Sequence, residues 1–390
     1  MTDPLRIFLV AGEPSGDLIG ARLMAALRDL HPGPVVFRGV GGTAMTAQGL
    51  DSLFPMHELS IMGVLEVLPK APALFARMRQ AADAITAFRA HALVTIDSPA
   101  FAVGLVRRLP DRSVPRIHYV APTVWAWRPW RVYKFRKNFD HLLTLLPFEP
   151  PYFQRVGLPA TFVGHPILES SAGQGDGARF RSGHRIAPEA RLLCVLPGSR
   201  RGEIERLFPV LNAALPLIAA RVPGLRLAVP TVPHVAERVR QVAQAWPGDP
   251  VVTVDETEKH DAMAAVQAAI AASGTVSLEL AMAGVPPVIV YRVSAMTGAI
   301  VRRMIKVRYV SLVNIIQDRM VVPELLQERC MPQAVADTAI GLLTDPLKSA
   351  EVIAGQRAGI AALASGDEPP SRQAARAVLA LVGSPARDAG

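Results

Sequence analysis

The chain has 390 residues, of which 50% are hydrophobic and 19% charged, and its formal net charge is +9. This composition predicts a packed globular protein of about two domains. Two cysteines exclude a disulfide framework and indicate a reducing compartment, and the basic balance favours an anionic partner: nucleic acid, a membrane surface or a phosphorylated substrate.

The chain opens with a strand–loop–helix unit, "RIFLVAGEPSGDLIGARLMAAL", at residues 6–27. No basic segment precedes its short apolar run, so no signal peptide is predicted, and no apolar run along the chain is long enough for a spanning helix. Such a unit opens nucleotide-binding α/β domains, with phosphate at the helix N-terminus. The loop, however, carries two carboxylates, Glu13 and Asp17, which do not suit a phosphate.

Strand-like and helical segments alternate along the whole chain, which predicts parallel sheets covered by helices. A Gly- and Ser-rich stretch at 168–185 predicts a linker. We expect an α/β protein of two doubly wound domains facing a cleft, at 1–170 and 186–331, with helices at 332–382. The predicted strands lie near residues 6–10, 35–38, 92–96, 116–120, 141–146, 161–163, 191–196, 225–230, 251–255, 268–273 and 286–291.

Asp97 follows an apolar strand at 92–96. Carboxyl ends of parallel strands lie on the ligand-binding side of an open α/β sheet, so Asp97 is a candidate general base. Because Ser98 and Pro99 follow it, the alternative is an N-cap, which spacing alone favours. His165 either orients a substrate or is a turn histidine. His118 is predicted to be a core residue, and no His, Cys, Asp or Glu set has metal-ligand spacing.

Two loops in the second half suit a diphosphate. The stretch "LPGSR", residues 196–200, brings backbone donors, a helix dipole and arginine charge together, although an ordinary turn with solvated arginines is an equal alternative. The stretch "ASGTVSLE", residues 272–279, places hydroxyls at a helix start, with Glu279 one turn later to accept ribose hydroxyls. The alternative is a capped helix with Glu279 in solvent, but its apolar neighbours favour function.

Two further stretches, 60–79 and 125–137, mix apolar or aromatic residues with basic ones. This pattern fits a membrane interface or single-stranded nucleic acid. For either stretch alone, a buried amphipathic segment is the alternative, but a third basic run at 292–308 favours an anionic surface. The candidate membrane or acyl-chain residues are Ile61, Met62, Val64, Leu65, Leu68, Leu74, Trp125, Trp127, Arg128, Trp130 and Arg131.

Several motifs, in order along the chain, resemble those of the lipid-A-disaccharide synthase family. They are "AGEPSGD", "SIMGVLEVLP", "IDSPAF", "YVAPTVWAWRPWR", "LPGSR", "ASGTVSLELAMAGVPPVIVYR" and "YVSLVNII". The resemblance implies a GT-B fold, with two Rossmann-like domains and C-terminal helices, at 332–382, that return to the first domain. It implies transfer of 2,3-diacylglucosamine from its UDP derivative to the 6-hydroxyl of 2,3-diacylglucosamine 1-phosphate, with inversion and without metal or cofactor.

The resemblance also assigns roles by position. Asp97 becomes the base, and the acceptor side takes Glu13, Ser15, Asp17 and His165. The UDP ligands become Ser199, Arg200, Ser273, Gly274, Thr275, Glu279 and Asn314. The implied partners are the two lipid substrates and the anionic inner-membrane surface, contacted peripherally from the cytoplasm. Nucleic acid is not expected as a partner, and a homodimer is compatible with the family.

Two other functions remain as alternatives. One is another GT-B enzyme, a sugar-nucleotide epimerase or a peptidoglycan-precursor glycosyltransferase, which would lack the motifs "IMGVLEVLP" and "PTVWAWR". The other is a basic nucleic-acid-binding protein, which would not need Glu279 or the "LPGSR" loop. An assay for UDP release with and without a diacylated acceptor separates the three functions.

Overall fold

The computed structural model describes residues 3–59, 64–110, 112–293 and 308–383, with only the backbone at 64–70. The chain forms two compact units, residues 1–166 with 363–390, and residues 167–362. Each unit contains one parallel sheet covered by helices, as the alternating pattern of the sequence predicts.

Within the described part of the first unit, seven strands form one sheet. The strands are β1 (Leu5–Ala11), β2 (Val35–Val40), β3 (Asp51–Ser52), β4 (Ala92–Ile96), β5 (Arg116–Tyr119), β6 (His141–Thr144) and β7 (Ala160–Phe162). The helices are α1 (Pro14–Leu30), α2 (Thr43–Ala47), α3 (Val64–Phe88), α4 (Pro99–Val106), α5 (Arg131–Asn138) and α6 (Pro150–Gln154). The strand order is β3-β2-β1-β4-β5-β6-β7, so the order reverses between β1 and β4, where doubly wound sheets bind ligands.

The second unit repeats this design with six strands in its described part. The strands are β8 (Leu192–Leu196), β9 (Arg226–Pro230), β10 (Val251–Thr253), β11 (Ala268–Ala272), β12 (Pro287–Tyr291) and β13 (Glu324–Leu326). The helices are α7 (Gly177–Gly183), α8 (Arg201–Arg221), α9 (Pro233–Ala243), α10 (Glu256–Ala265), α11 (Val276–Met282), α12 (Leu312–Gln317), α13 (Pro332–Thr344) and α14 (Pro346–Ala361). The order β10-β9-β8-β11-β12-β13 reverses between β8 and β11.

The core of the first unit lies on both faces of its sheet, because successive side chains of a strand point to opposite faces. Ile7 and Leu9 join a buried cluster that includes Leu23 of α1. Phe8 joins a second cluster, which includes Phe101 of α4. The apolar run of β1 is therefore buried on both sides, as is typical of a central parallel strand.

The C-terminal part of the chain returns to the first unit later than the sequence indicates. Helix α15 (Pro370–Gly383) packs on α1, as the family resemblance implies. In contrast, α13 and α14 lie in the second unit, where α13 packs on α8 and α14 on α11. The return therefore begins at residue 363 and not at 332, since the apolar faces of α13 and α14 are buried against the second sheet and its helices.

The stretch 168–185, predicted as a linker, is also more ordered than its composition indicates. It contains α7, which begins at an N-cap, Asp176, whose side chain accepts the N–H of Arg179. Helix α7 packs on α10 of the second unit. The boundary between the two units lies between Pro166 and Ile167, at the start of this stretch.

His118 on β5 is a core residue, as the apolar strand around it predicts. Its Nδ1 lies 2.8 Å from Thr95 Oγ1, and its ring is 5.1 Å from the ring of Phe135. Burial, assisted by the positive charge of Arg131, lowers the pKa of His118 to about 3.

This pKa predicts a specific loss of stability in acid. In the unfolded chain histidine takes up a proton near pH 6.5, whereas the folded protein resists protonation of His118 down to about pH 3. The contribution of His118 to stability is therefore present above about pH 6.5 and is lost as the pH falls below it. Each pH unit below the unfolded-state pKa costs about 1.4 kcal/mol of stability, so the loss at pH 4 is ~3 kcal/mol.

Denaturant unfolding at pH 7 and at pH 4 tests this expectation. His118→Gln removes the titrating group, so the free energy of unfolding should fall less between the two pH values than it does in the parent protein. The comparison uses the difference between the two pH values, so that any loss of packing in the variant cancels. Equal falls in the two proteins would contradict it.

Candidate active site

Asp97 lies directly after β4, at the point where the strand order of the first sheet reverses. Both Asp97 and Ser98 adopt left-handed backbone conformations, with φ of 56° and 43°. Such conformations are unfavourable for residues other than glycine, and they cluster at functional sites. The two residues hold the sharp turn between β4 and α4.

The N-cap position of α4 belongs to Ser98 and not to Asp97. The carboxylate of Asp97 accepts a hydrogen bond from the N–H of Ser98 at 2.8 Å, which is one residue short of the amides that an N-cap side chain reaches. Asp97 is half-buried, so its carboxylate retains access to solvent. The capping alternative therefore has no support in this turn.

The loop after β1 lies against the Asp97 turn. A Cβ at Gly12 would overlap the side chain of Ser98, and a Cβ at Gly16 would lie 3.6 Å from the Cβ of Asp97. Glycine at position 12 is thus required for this approach. The half-buried Glu13 and the exposed Ser15, two of the predicted acceptor-side residues, lie in the chain between these two glycines.

Asp17, by contrast, has a structural role. It is 5% exposed, and its carboxylate accepts the backbone N–H groups of Gly42, Ala44 and Met45 at 2.8–3.0 Å. These bonds hold the start of α2 against α1, and they occupy both carboxylate oxygens. Asp17 therefore anchors α2 to α1, in place of the predicted acceptor-side role.

His165 follows β7 at the point where the returning chain passes. Its side chain is 9% exposed, and burial lowers its pKa to about 4, so the imidazole is neutral near pH 7. Its backbone N–H donates to the carbonyl of Leu363 at 3.0 Å. This position joins the end of the first sheet to the segment that leads into α15.

In the second unit, a cavity of about 260 Å³ lies where the order of the second sheet reverses. The loops after β8 and β11 form it together with residues that follow β9 and with side chains of α8, α10 and α11. Five of the residues predicted to bind UDP line this cavity: Ser199, Ser273, Gly274, Thr275 and Glu279. The tertiary structure thus brings together the two motifs that the sequence predicts to bind a diphosphate.

Glu279 does not extend into solvent. Its Oε2 lies 2.9 Å from Nζ of Lys259 on α10, and the two side chains are 21% and 23% exposed. Lys259 and Glu203 also line the cavity. Sequence reasoning did not identify either residue as part of the site, because neither belongs to a loop motif and no periodic pattern marks them.

Arg200 stands apart from the residues that line the cavity. It occupies the N-cap position of α8, its side chain is 65% exposed, and its Nη1 lies 3.4 Å from Oε1 of Glu203. The neighbouring carbonyl of Ser199 lies 2.7 Å from Nε2 of His234. The "LPGSR" loop therefore contributes Gly198 and Ser199 to the cavity, while the guanidinium of Arg200 remains at the surface.

Asn314 is fully buried, and its amide group is used within the fold. Its Nδ2 donates to Val322 O at 2.8 Å and to Glu324 Oε1 at 2.7 Å. Its Oδ1 accepts the N–H groups of Val321 and Val322, both at 2.8 Å. These four bonds exhaust the capacity of a side-chain amide. Asn314 therefore secures the turn between α12 and β13, which corrects its prediction as a UDP ligand.

The predicted membrane residues fall into three groups. Ile61 and Met62 lie outside the described residues, as do the side chains of Val64, Leu65 and Leu68. Leu74 is half-buried and packs against the core. The remaining predicted residues are partly or fully exposed: Trp125, Trp127, Arg128, Trp130 and Arg131.

Trp125 is anchored to the protein interior. Its Nε1 donates to Oε1 of buried Glu149 at 3.1 Å, and its ring packs edge-on against Phe148 at 5.3 Å. Burial raises the pKa of Glu149 to about 7, against the opposing effect of its hydrogen bonds from Trp125, Leu146 and Leu145. In the same segment Arg128 lies over the ring of Trp127 at 4.2 Å, whereas Trp130 is 62% exposed.

Two absences hold for the part of the chain that the structure describes. None of its helices is both long and apolar enough to cross a membrane. None of its clusters of three or more His, Cys, Asp or Glu side chains has an arrangement that could hold a metal ion.

Comparison with known proteins identifies relatives over nearly the whole chain. A family model described as lipid-A-disaccharide synthetase matches residues 7–378. The lipid-A-disaccharide synthase of Rhodospirillum centenum is 53% identical over 381 residues, which cover 97% of this chain and 95% of the relative. That of Paramagnetospirillum magneticum is 48% identical and covers 96% of this chain and 97% of the relative.

Solved structures of similar fold are more distant in sequence. A UDP-GlcNAc 2-epimerase from Neisseria meningitidis bound to UDP-GlcNAc matches with a TM-score of 0.62 and 11% identity, over 97% of this chain and 99% of that one. MurG of Acinetobacter baumannii matches with a TM-score of 0.55 and 13% identity, over 97% and 100%. At these identities the likeness shows the GT-B fold alone.

Proposed function

The chain belongs to the lipid-A-disaccharide synthase family, and from this membership we propose that it joins two acylated glucosamines into the lipid A disaccharide. The donor is UDP-2,3-diacylglucosamine, and the acceptor is 2,3-diacylglucosamine 1-phosphate. The sugar is transferred to the acceptor 6-hydroxyl, which gives a β-1,6 disaccharide 1-phosphate and UDP.

The observation that carries the donor assignment is the cavity at the reversal point of the second sheet. Its lining combines three hydroxyl-bearing residues, Ser199, Ser273 and Thr275, with the acidic residue Glu279. Hydroxyl and amide donors at helix starts suit phosphate oxygens, and a carboxylate suits a pair of ribose hydroxyls. Together these groups can bind both the ribose and the diphosphate of UDP.

Asp97 is the base in this proposal. It accepts the proton of the acceptor 6-hydroxyl while the oxygen of that hydroxyl attacks the anomeric carbon and the bond from that carbon to UDP breaks. Attack from the face opposite the leaving group inverts the anomeric centre. UDP leaves with the bonding electron pair, and donors in the cavity stabilise its charge.

An assay for UDP release tests the proposed function. With UDP-2,3-diacylglucosamine as donor, release should require 2,3-diacylglucosamine 1-phosphate and should yield a disaccharide by mass spectrometry. UDP release from UDP-GlcNAc without any lipid acceptor would instead favour the epimerase alternative. Release that depends on a lipid-linked peptidoglycan precursor would favour the other glycosyltransferase.

A surface patch of the first unit supports a peripheral membrane role. We call it the aromatic–basic face and define it by Phe75, Arg107, Arg108, Trp130, Tyr133 and Lys134. Phe75, Trp130 and Tyr133 are 50%, 62% and 67% exposed. The face spans α3, α4 and α5, since α4 packs against both of the others.

Aromatic and basic groups are interleaved on this face. Arg108 lies 5.1 Å over the ring of Phe75. Desolvation and the positive charges of Arg107 and Arg131 lower the pKa of Lys134. Exposed aromatic rings beside several positive charges suit the headgroup region of an anionic bilayer. We propose that the protein acts at the cytoplasmic face of the inner membrane. We also propose that it forms a homodimer, which light scattering tests.

Replacing Phe75, Trp130 and Tyr133 together by Ser should weaken binding to vesicles that contain phosphatidylglycerol by about tenfold or more, because three exposed rings lose their apolar contact with lipid. Cosedimentation with such vesicles measures the effect. Leu347→Ser is the matched control, since Leu347 is 82% exposed but lies in the second unit. A folded triple variant that binds vesicles as the parent does would show that this face does not contact lipid.

A further inference from the structure

The charge balance of the donor cavity points to a residue that the sequence motifs do not include. Among the described residues that line the cavity, the charged side chains are Glu203, Lys259 and Glu279. Two carboxylates and one lysine are a poor environment for a diphosphate unless the lysine takes part, because carboxylates repel an anion placed beside them. Arg200 does not line the cavity, since its guanidinium is 65% exposed and lies near Glu203.

Lys259 is held in place by the fold around it. Its helix, α10, follows the N-cap residue Asp255, whose side chain accepts the N–H of Glu258 at 2.8 Å. Two residues after Lys259, the carboxylate of Asp261 accepts hydrogen bonds from Arg179 of α7 at 2.5 and 2.7 Å and from the N–H of Asp176 at 2.7 Å. Both ends of the lysine's turn are therefore fixed by contacts that do not involve the cavity.

The position of the ammonium group suits two partners at once. Nζ lies 2.9 Å from Oε2 of Glu279, and an ammonium group has three N–H donors. Even if one donor serves Glu279, two are left for other acceptors. Ser273 and Thr275 line the same cavity as Lys259, so a phosphate bound beside them lies in the same small volume.

We propose that Lys259 bridges the carboxylate of Glu279 to the diphosphate of the bound nucleotide. Lys259 is thus a further binding residue: it holds Glu279 in place to accept ribose hydroxyls, and it donates to a phosphate oxygen. This inference rests on the proposed function, because it concerns the same UDP site. It assigns the two parts of the ligand to different residues, since Glu279 binds the ribose and Lys259 binds the diphosphate.

Calorimetric titration with UDP and with uridine tests the bridge. Lys259→Met keeps the length of the side chain and removes its charge, so the dissociation constant for UDP should rise by about tenfold or more, as for a lost charge-assisted hydrogen bond. The constant for uridine should rise less, by about threefold at most, because uridine carries no phosphate and is affected only through the position of Glu279. Lys259→Arg should recover part of the UDP affinity, which a purely structural role would not require.

Lys348→Met is the matched control, since Lys348 is an exposed lysine on α14 and does not line the cavity. Its affinity for both ligands should equal that of the parent. If Lys259→Met loses affinity for UDP and uridine equally, or loses affinity for neither, the bridge is overturned. In that case UDP binding by the parent still supports the donor site. Failure of the parent to bind UDP would overturn the donor site itself, and the bridge with it.

Discussion

Asp97→Asn should lower turnover by about 10²-fold or more, while the affinity for UDP and the melting temperature remain close to those of the parent. Asparagine has the size of aspartate but cannot take up the proton of the acceptor hydroxyl, and positioned base catalysis typically contributes about 10²–10⁴-fold. The backbone should tolerate the change, because asparagine adopts left-handed conformations as readily as aspartate, and Asp97 has a φ of 56°.

Turnover is measured as UDP release at saturating donor and acceptor, and UDP affinity by calorimetry. Asp17→Asn provides the contrast, because the carboxylate of Asp17 accepts three backbone N–H groups that one amide oxygen cannot satisfy. That variant should lose about 1–3 kcal/mol of stability, the cost of leaving a buried donor unsatisfied. Turnover of Asp97→Asn within about threefold of the parent, less than the lower bound for a catalytic base, would refute the assignment.

Glu279→Ala should weaken the binding of uridine by about tenfold or more, because the ribose hydroxyls lose a charged acceptor that contributes about 1.5–3 kcal/mol. UDP should lose less affinity than uridine, since Lys259, whose Nζ lies 2.9 Å from the removed carboxylate, becomes fully available to the diphosphate. The two substitutions, Lys259→Met and Glu279→Ala, are therefore expected to have opposite preferences between UDP and uridine.

Calorimetric titration of both ligands measures this difference. Glu256→Ala is the matched control, because Glu256 is an exposed glutamate at the start of α10. It should bind both ligands as the parent does. Unchanged uridine affinity in Glu279→Ala would mean that the carboxylate does not contact the ribose and that its pair with Lys259 is only structural.

The sequence by itself determined the fold class and the positions of the major strands. Apolar runs such as 7–10, 92–96 and 268–272 are buried on both faces, and that local property leaves a continuous apolar signal. Strands β3 and β13 were not predicted: β3 has only two residues and shows no period, and β13 includes Glu324, so its sequence has no continuous apolar run. The loop motifs after β8 and β11 identified five residues that line the cavity of the second unit, since a turn followed by a helix start is also a local feature.

Only the tertiary structure decided the roles that depend on partners far away in the chain. A carboxylate in a loop motif has the same sequence signal whether it faces a ligand or a backbone amide, and Asp17 proved to hold the start of α2. Asn314 likewise lies in a family motif, but its amide is used by Val321, Val322 and Glu324. Lys259 carries no motif at all and reaches the cavity because α10 packs beside α7 and β8. Periodicity and turn chemistry report what a residue does within its own element, whereas the direction of a side chain toward another element is set by how the elements pack.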